Sequence, residues 1–406
     1  MLIRLKNLFA IKGYSLFVLC LLLVGIGISI TMPYLSLYST EELGMSTGAF
    51  GVFMAVSSLS GVVVNSFIAK RSDNGLDRKW IIIVAMLSSA LGYGSYLVFH
   101  NFYILLIVVT IFNGLGAAAM PQIYASAQES ANESKTDDKT FAMSTLRSLV
   151  SLGFLIGPLG GTIILGAFGY KGLFLGTSAI FLIIASLVFL FLQNRKMVQS
   201  NNRKRQGADI SLFKTRQIRQ PFNAFIFLFA VNAINAINTP LFIVKVLHGT
   251  HTDVGLVVSI CAGLEIPIML ALGGMGKKIS NHALMMIGCV IGVIYFTVLS
   301  VSTDSWQIIA AQLLQAIYVA IVMGNGLSYF TELLPNSPGM SATIYSNGST
   351  LGRLVGNLGG GIIAQFIGFR YVNWVCLVLV TLSFVILWRS RPQEEMEVTT
   401  GQTRSV

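Results

Sequence analysis

The sequence predicts an all-α integral membrane protein of twelve transmembrane helices, arranged as two pseudo-symmetric six-helix halves. Three observations predict it. Only 11% of the 406 residues are charged while 54% are apolar, whereas a soluble globular domain carries about 25% charged residues. So few charges cannot build a water-facing surface, and lipid must cover much of the chain. Apolar runs near the ~20 residues needed to cross a bilayer recur from end to end. The second half of the chain also echoes the first. Forty glycines against nine prolines suit packed membrane helices, in which small residues let backbones approach.

The runs fall, to within a few residues, at roughly 14–38, 46–69, 80–99, 101–128, 140–166 and 170–193 in the first half. In the second half they fall at roughly 221–245, 252–276, 283–301, 304–331, 338–366 and 370–389. The first run follows Arg4, Lys6 and Lys12, is too long for a signal-peptide core and lacks a clear cleavage site, so it reads as the first permanent helix. The second run ends at Lys70-Arg71, and the third starts after Arg78-Lys79. Gly169-Tyr170-Lys171 parts the fifth from the sixth, and Gly368-Phe369-Arg370 parts the eleventh from the twelfth. Runs longer than a minimal span imply tilt or extension beyond the bilayer. The expected organisation is a six-helix half over 1–193, a basic linker over 194–220, a second six-helix half over 221–389 and a tail over 390–406.

The net charge of +11 raises the question of nucleic acid, but the positions of the charges argue for topology. If the N-terminus is cytoplasmic, 22 of the 27 Lys and Arg lie on that side, including Lys135, Lys139, the linker and the tail. The other side holds Lys171, Lys245 and Arg370, and two arginines, Arg147 and Arg353, lie within spans. The bias places both termini in the cytoplasm of a multi-pass cell-membrane protein. The linker, with Arg195, Lys196, Arg203, Lys204, Arg205, Lys214, Arg216 and Arg219, reads as a flexible segment near anionic headgroups, with a dedicated lipid-binding site as the alternative. Cys20, Cys261, Cys289 and Cys376 lie in apolar runs without metal or disulfide spacing. No nucleotide loop, catalytic triad or metal cluster is recognisable. The expectation is a monomer that is not an enzyme, without cofactor or metal, whose partners are membrane lipids and a small polar solute and not nucleic acid.

The repeat is specific. Gly157-Pro158-Leu159-Gly160-Gly161-Thr162-Ile163-Ile164 aligns with Gly356-Asn357-Leu358-Gly359-Gly360-Gly361-Ile362-Ile363 at an offset of 199, and the match runs on through Gly169-Tyr170-Lys171 against Gly368-Phe369-Arg370. Weaker echoes join Met120, Gln122 and Glu129 to Met323, Asn325 and Glu332, while Pro33 and Pro240 hold similar places. Six plus six helices in a same-orientation repeat is the arrangement of the major facilitator fold, whose halves flank a cavity and rock to alternate access.

The loop Ala69-Lys70-Arg71-Ser72-Asp73, followed by Asp77-Arg78-Lys79, resembles the motif joining the second and third helices of major facilitator transporters. Together with Ala119-Met120-Pro121-Gln122, Arg147 ten residues before Gly157-Pro158, and Gly263-Leu264-Glu265-Ile266-Pro267, it is similar to the sugar efflux transporter family over most of the chain. The resemblance implies outward movement of lactose, glucose and related glycosides, and stabilisation of the outward-open state by Lys70, Arg71, Asp73, Asp77 and Arg78. A merely solvated basic loop is the alternative for those residues. The family commonly has Arg before the Glu that ends the fourth span; here the pair is Gln128-Glu129, so a shared charge role there does not carry over.

Polar groups within spans are costly and mark pathways or interhelical partners. Ser346, Thr350, Arg353 and Asn357 form one stripe at helical spacing; Arg353 contacts ligand or gate, or braces carbonyls. Arg147 lies among Ser144, Ser148 and Ser151 and reads as a cytoplasmic-gate or structural residue. Glu265 is the one carboxylate deep in a span; it is a candidate for proton coupling and hence antiport, with a structural pair as the alternative. Asn232, Asn235 and Asn238 share an arc of one helix, as do Gln312, Gln315 and Tyr318, with Asn325 beyond. Amides offer the paired donors and acceptors that sugar hydroxyls require, and also bond helix to helix. Asn113 and Gln122 of the fourth span complete the substrate-binding candidates. Two other functions compete with sugar export: efflux of drugs or small metabolites, and a non-transporting receptor or scaffold.

Overall fold

A computed structural model of the chain describes Leu8, Ile11 and residues 13–72, 77–134, 139–193, 215–275, 279–335 and 338–390. Asp73, most of the expected linker and the tail from 391 lie outside the described residues. No strand occurs among the described residues, which suits a chain in hydrocarbon, where a helix satisfies its own backbone polar groups.

In the first half α1 (Tyr14–Thr31) continues through a short 3-10 turn at Met32–Tyr34, where Pro33 sits, into α2 (Leu35–Glu41). Then follow α3 (Thr47–Ser72), α4 (Arg78–Val98), α5 (Phe102–Gly116), α6 (Ala119–Glu133) and the long α7 (Lys139–Phe191). The second half holds α8 (Arg216–Lys245), α9 (His251–Met275), α10 (Asn281–Val301) and α11 (Ser305–Val319). A π-helical turn at Ala320–Gly324 leads to α12 (Gly326–Leu333), and α13 (Pro338–Ile367) and α14 (Phe369–Arg389) close the described chain. The seventh helix begins at Arg216, five residues inside the segment expected as linker.

Ten helices among the described residues are long and apolar enough to cross a membrane. The count is consistent with twelve spans. The 47-residue stretch Thr145–Phe191 is broken at Gly169 and accommodates two. The 30-residue α13, outside the ten, carries the polar stripe of Ser346, Thr350, Arg353 and Asn357. All four tryptophans, Trp80, Trp306, Trp374 and Trp388, are exposed near helix ends, where amphipathic rings favour a membrane interface. Phe366 on α13 is 81% exposed, which suits a hydrocarbon-facing ring.

The repeat is visible in backbone geometry. Gly169 and Gly368, 199 residues apart, both take positive φ, at 62° and 85°, with ψ of −167° and 159°. This region of backbone space is essentially reserved for glycine. The fourth and tenth spans break at matching places: α5 and α11 begin at Phe102 and Ser305 and end at Gly116 and Val319.

The chain divides into two compact units, Met1–Arg203 with Gly249–Gly263, and Lys204–His248 with Leu264–Val406. In unit 1, α7 packs most extensively on α1. The seam is made by glycines: a Cβ on Gly153 would lie 2.6 Å from the Ile26 amide nitrogen, and one on Gly25 would lie 2.6 Å from the Val150 carbonyl. Gly157 and Gly161 continue it against Ser29 and Ile30. Gly160 has open space around it and is not part of the seam. Phe17, Leu21, Ile82, Met86, Ile123 and Phe181 belong to the apolar core of this unit.

Unit 2 repeats the device. A Cβ on Gly352 would lie 2.6 Å from the Ile226 carbonyl, and Gly356 and Gly360 meet Ala230 and Ile234 of α8. The unit's core is aromatic: Phe225 lies 4.8 Å from Phe330 and 5.8 Å from Tyr329 between ring centroids, and Phe229 lies 5.4 Å from Tyr345. Each seam removes side chains where two helices approach most closely, so backbone packs on backbone.

Candidate functional site

In unit 1, α4 begins with Asp77 as its cap, the carboxylate accepting the Lys79 N–H at 2.9 Å. This fixes Arg78, which reaches α6. Its Nε donates to Glu129 Oε1 at 2.9 Å and its Nη1 to Gln122 Oε1 at 2.7 Å. The Arg78 side chain is 15% exposed and that of Glu129 37%. A small cavity with room for about one water adjoins them, lined by Phe17, Asp77, Lys79, Ser126, Glu129 and Ser130. Gln122 was expected among the ligand groups; its carbonyl here is an acceptor for Arg78. Lys70 and Arg71 fall in the last turn of α3, with side chains outside the description.

Unit 2 carries a counterpart, 203 residues on. Asn281, at the start of α10, donates from Nδ2 to Glu332 Oε2, and Asn325 Nδ2 donates to Asn281 Oδ1 at 2.8 Å. The weak echo of Gln122 and Glu129 in Asn325 and Glu332 therefore marks two equivalent side-chain triads, one built on an arginine and the other on an amide. The π turn at Ala320–Gly324 leads into Asn325, and its Met323 carbonyl accepts the Tyr345 hydroxyl at 2.8 Å. Such turns free a carbonyl and recur at functional sites.

The amide arc of α8 splits. Asn238 is buried, and its Nδ2 donates to the Phe369 carbonyl at 2.9 Å and to Asn373 Oδ1 at 3.2 Å, so it braces α8 to α14. Asn235 accepts the Thr239 hydroxyl at 2.7 Å and approaches Tyr295 Oη at 3.5 Å; that phenol donates to Gln315 Oε1 at 2.8 Å. A polar chain thus links α8, α10 and α11, ending at the half-buried Gln315. Gln312 is fully buried and donates to its own helix at the Ile308 carbonyl, while the buried Tyr318 hydroxyl points to the Leu228 carbonyl at 3.4 Å. Asn238, Gln312 and Tyr318 therefore sit inside the packing of unit 2.

Asn232 is half-buried, Arg353 is exposed, and neither has a hydrogen bond or ion pair among the described residues. Within the stripe of α13, Asn357 is buried against the packing while Ser346 and Arg353 are exposed. Glu265 on α9 is half-buried, also without a described hydrogen bond or ion pair. Arg147 is exposed, close enough to Tyr124 for its charge to act there. Asn113 is half-buried on the face of α5 turned to Gly92 of α4.

Three polar residues do not stand out in the sequence. Tyr34 bonds the Pro158 carbonyl and Thr162, Tyr295 links Asn235 to Gln315, and Asn373 meets Asn238. Only the spacing of Asn373 from the Gly368 break, one turn into the twelfth span, points to a role near the helix start.

A family model described as Major Facilitator Superfamily matches residues 17–302 and 222–405. "Sugar efflux transporter C" of Escherichia coli (strain K12) is 30% identical over 375 residues, 91% of this chain and 94% of that protein. "Sugar efflux transporter A" of Dickeya chrysanthemi is 29% identical over 381 residues, 93% of this chain and 95% of that protein. The crystal structure of nucleoside transporter NupG superposes with a TM-score of 0.76 at 15% identity, covering 93% of this chain and 96% of that one; at that identity the likeness is one of fold.

Proposed function

The chain belongs to the Major Facilitator Superfamily and, within it, to the sugar efflux transporters, and from that premise we propose that it carries sugars or related glycosides outward across the cell membrane by alternating access. The observation that carries this reading is the end-to-end kinship with sugar efflux transporters. The distribution of polar groups supports it. Asn232, Gln315 and Arg353 offer amide and guanidinium groups that are not sealed in the packing, and such groups match a polyhydroxylated solute. Asn235 lies behind them, positioning Gln315 through Tyr295.

The solute is a small molecule and the working unit a monomer. The charge bias gives cytoplasmic termini, which puts the Arg78 and Asn281 triads at the cytoplasmic helix ends as gate contacts, with Arg147 nearby. Glu265 is the group we assign to proton binding in a sugar–proton antiport cycle; a half-buried carboxyl without an ion pair is free to change protonation as its surroundings change.

Purified protein in vesicles tests this with labelled lactose, glucose and a lipophilic drug, with and without a pH gradient. Saturable sugar flux is expected. Flux of the drug alone would defeat the reading. Glu265→Gln is expected to abolish gradient-driven flux while sparing sugar exchange at equal pH, and gradient-driven flux at the wild-type rate would remove its coupling role.

A further inference from the structure

Helix α9 is divided: Gly249–Gly263 groups with unit 1 and the rest of the helix with unit 2. The residues that attach its first turns to unit 1 recur every fourth position on one face. At Gly255 a Cβ would lie 2.6 Å from the Tyr34 hydroxyl, and at Gly263 one would lie 2.9 Å from Leu155. Ser259 between them is 2% exposed. At the head of the face stands His251, whose Nε2 lies 3.7 Å from Glu41 Oε2 and 3.5 Å from the Tyr170 hydroxyl, which itself donates to Glu41 Oε2 at 3.2 Å. Side chains of three elements, α2, α7 and α9, therefore converge on one partly exposed carboxylate.

We propose that His251, Glu41 and Tyr170 form a pH-sensitive latch that fastens the first turns of α9 to unit 1, tightened when His251 is protonated and loosened when it is neutral. Histidine is the side chain whose charge commonly changes between about pH 5 and 8. A protonated ring at this distance gains the attraction of Glu41; a neutral one keeps only the 3.5 Å contact with the phenol. The neighbouring groups reinforce this sign. Glu42, the residue that caps the end of α2, adds a second carboxylate whose charge reaches Tyr170. Tyr38 of α2 packs on Tyr170 at 5.1 Å and on Tyr96 of α4 at 6.0 Å and brings no charge. Lys171 of α7 is exposed. Asp253 on α9 is occupied in accepting the Thr250 N–H at 2.8 Å. Acid on that face of the membrane holds the attachment; alkali releases it.

The full chain in vesicles provides the test, with Cys20, Cys261, Cys289 and Cys376 replaced by alanine and Ser259→Cys labelled by an impermeant maleimide from the His251 face. The ratio of labelling rates between the native His251 and His251→Lys backgrounds cancels the thiol's own pH dependence. It is expected near one at pH 5.5 and about 2- to 5-fold above one at pH 8.5, the scale of an exposed ion pair. A ratio that stays flat, or a pH response that survives Glu41→Gln, overturns the latch. If the cysteine-substituted chain does not fold, amide exchange over residues 251–263 is compared between His251→Lys and His251→Gln chains at one pH. Slower exchange in the lysine variant is expected, and equal exchange refutes the latch. No sugar enters either readout, so failed sugar flux leaves the latch standing and a failed latch leaves sugar export standing.

Discussion

Gly153→Ala is expected to destabilise unit 1 relative to Gly160→Ala, although the two glycines sit on the same helix only about two turns apart. The added methyl at 153 would lie 2.6 Å from the Ile26 nitrogen and 2.7 Å from the Gly25 Cα. Ordinary contact begins at 3.4 Å, so α1 and α7 must part by about 0.8 Å at their closest point, in an interior packed too densely to absorb it freely. Overpacking of this kind costs about 1–3 kcal/mol. Alanine also gains about 1 kcal/mol over glycine in a helix. Gly160 meets nothing within 4 Å, so only the gain applies there. The difference between the variants should be about 1–3 kcal/mol, read as a lower unfolding temperature for Gly153→Ala in detergent-purified protein. Gly352→Ala, with its methyl 2.6 Å from the Ile226 carbonyl, should repeat the effect in unit 2. Equal unfolding temperatures for Gly153→Ala and Gly160→Ala would refute the seam.

Arg78→Ala should lower stability by about 1 kcal/mol, modest because Glu129 is 37% exposed and water screens it; a double-mutant cycle with Glu129→Ala isolates the pair, and a coupling near zero would dismiss it. Asn238→Leu and Asn373→Leu should each cost about 1–3 kcal/mol by stranding a buried amide, and the double variant less than their sum; additive unfolding shifts would contradict the brace. Gly169→Ala and Gly368→Ala should each cost about 1–3 kcal/mol from backbone strain alone, measured by the same melts, since neither has a neighbour within 4 Å. Gln315→Leu should raise the KM for sugar about tenfold, because the substrate loses a hydrogen-bond partner in a partly desolvated place; an unchanged KM in vesicle flux would remove Gln315 from the pathway.

The apolar helices and the breaks at Gly169 and Gly368 were legible because they depend on composition and on glycine, which act locally. The match of Gly169 to Gly368 in sequence became the same backbone conformation in space. Side-chain destinations were less legible. Asn235 and Asn238 share an arc of α8, yet one leads to Gln315 through Tyr295 and the other to α14. Which neighbour a side chain meets depends on helix rotation and spacing, which the packing of whole units decides. The same holds for Gly160, grouped with its glycine neighbours by pattern but turned away from the seam.

The π turn before Asn325 sets the register of everything that follows it. A regular helix advances about 100° per residue, so a turn holding one extra residue swings the later side chains by that angle. Asn325, Tyr329 and Glu332 all follow the Ala320–Gly324 turn. Wound as regular helix with no residue removed, the same segment would point Asn325 about 100° away from Asn281, so a backbone turn far from any charge holds the amide triad together as surely as its own side chains do.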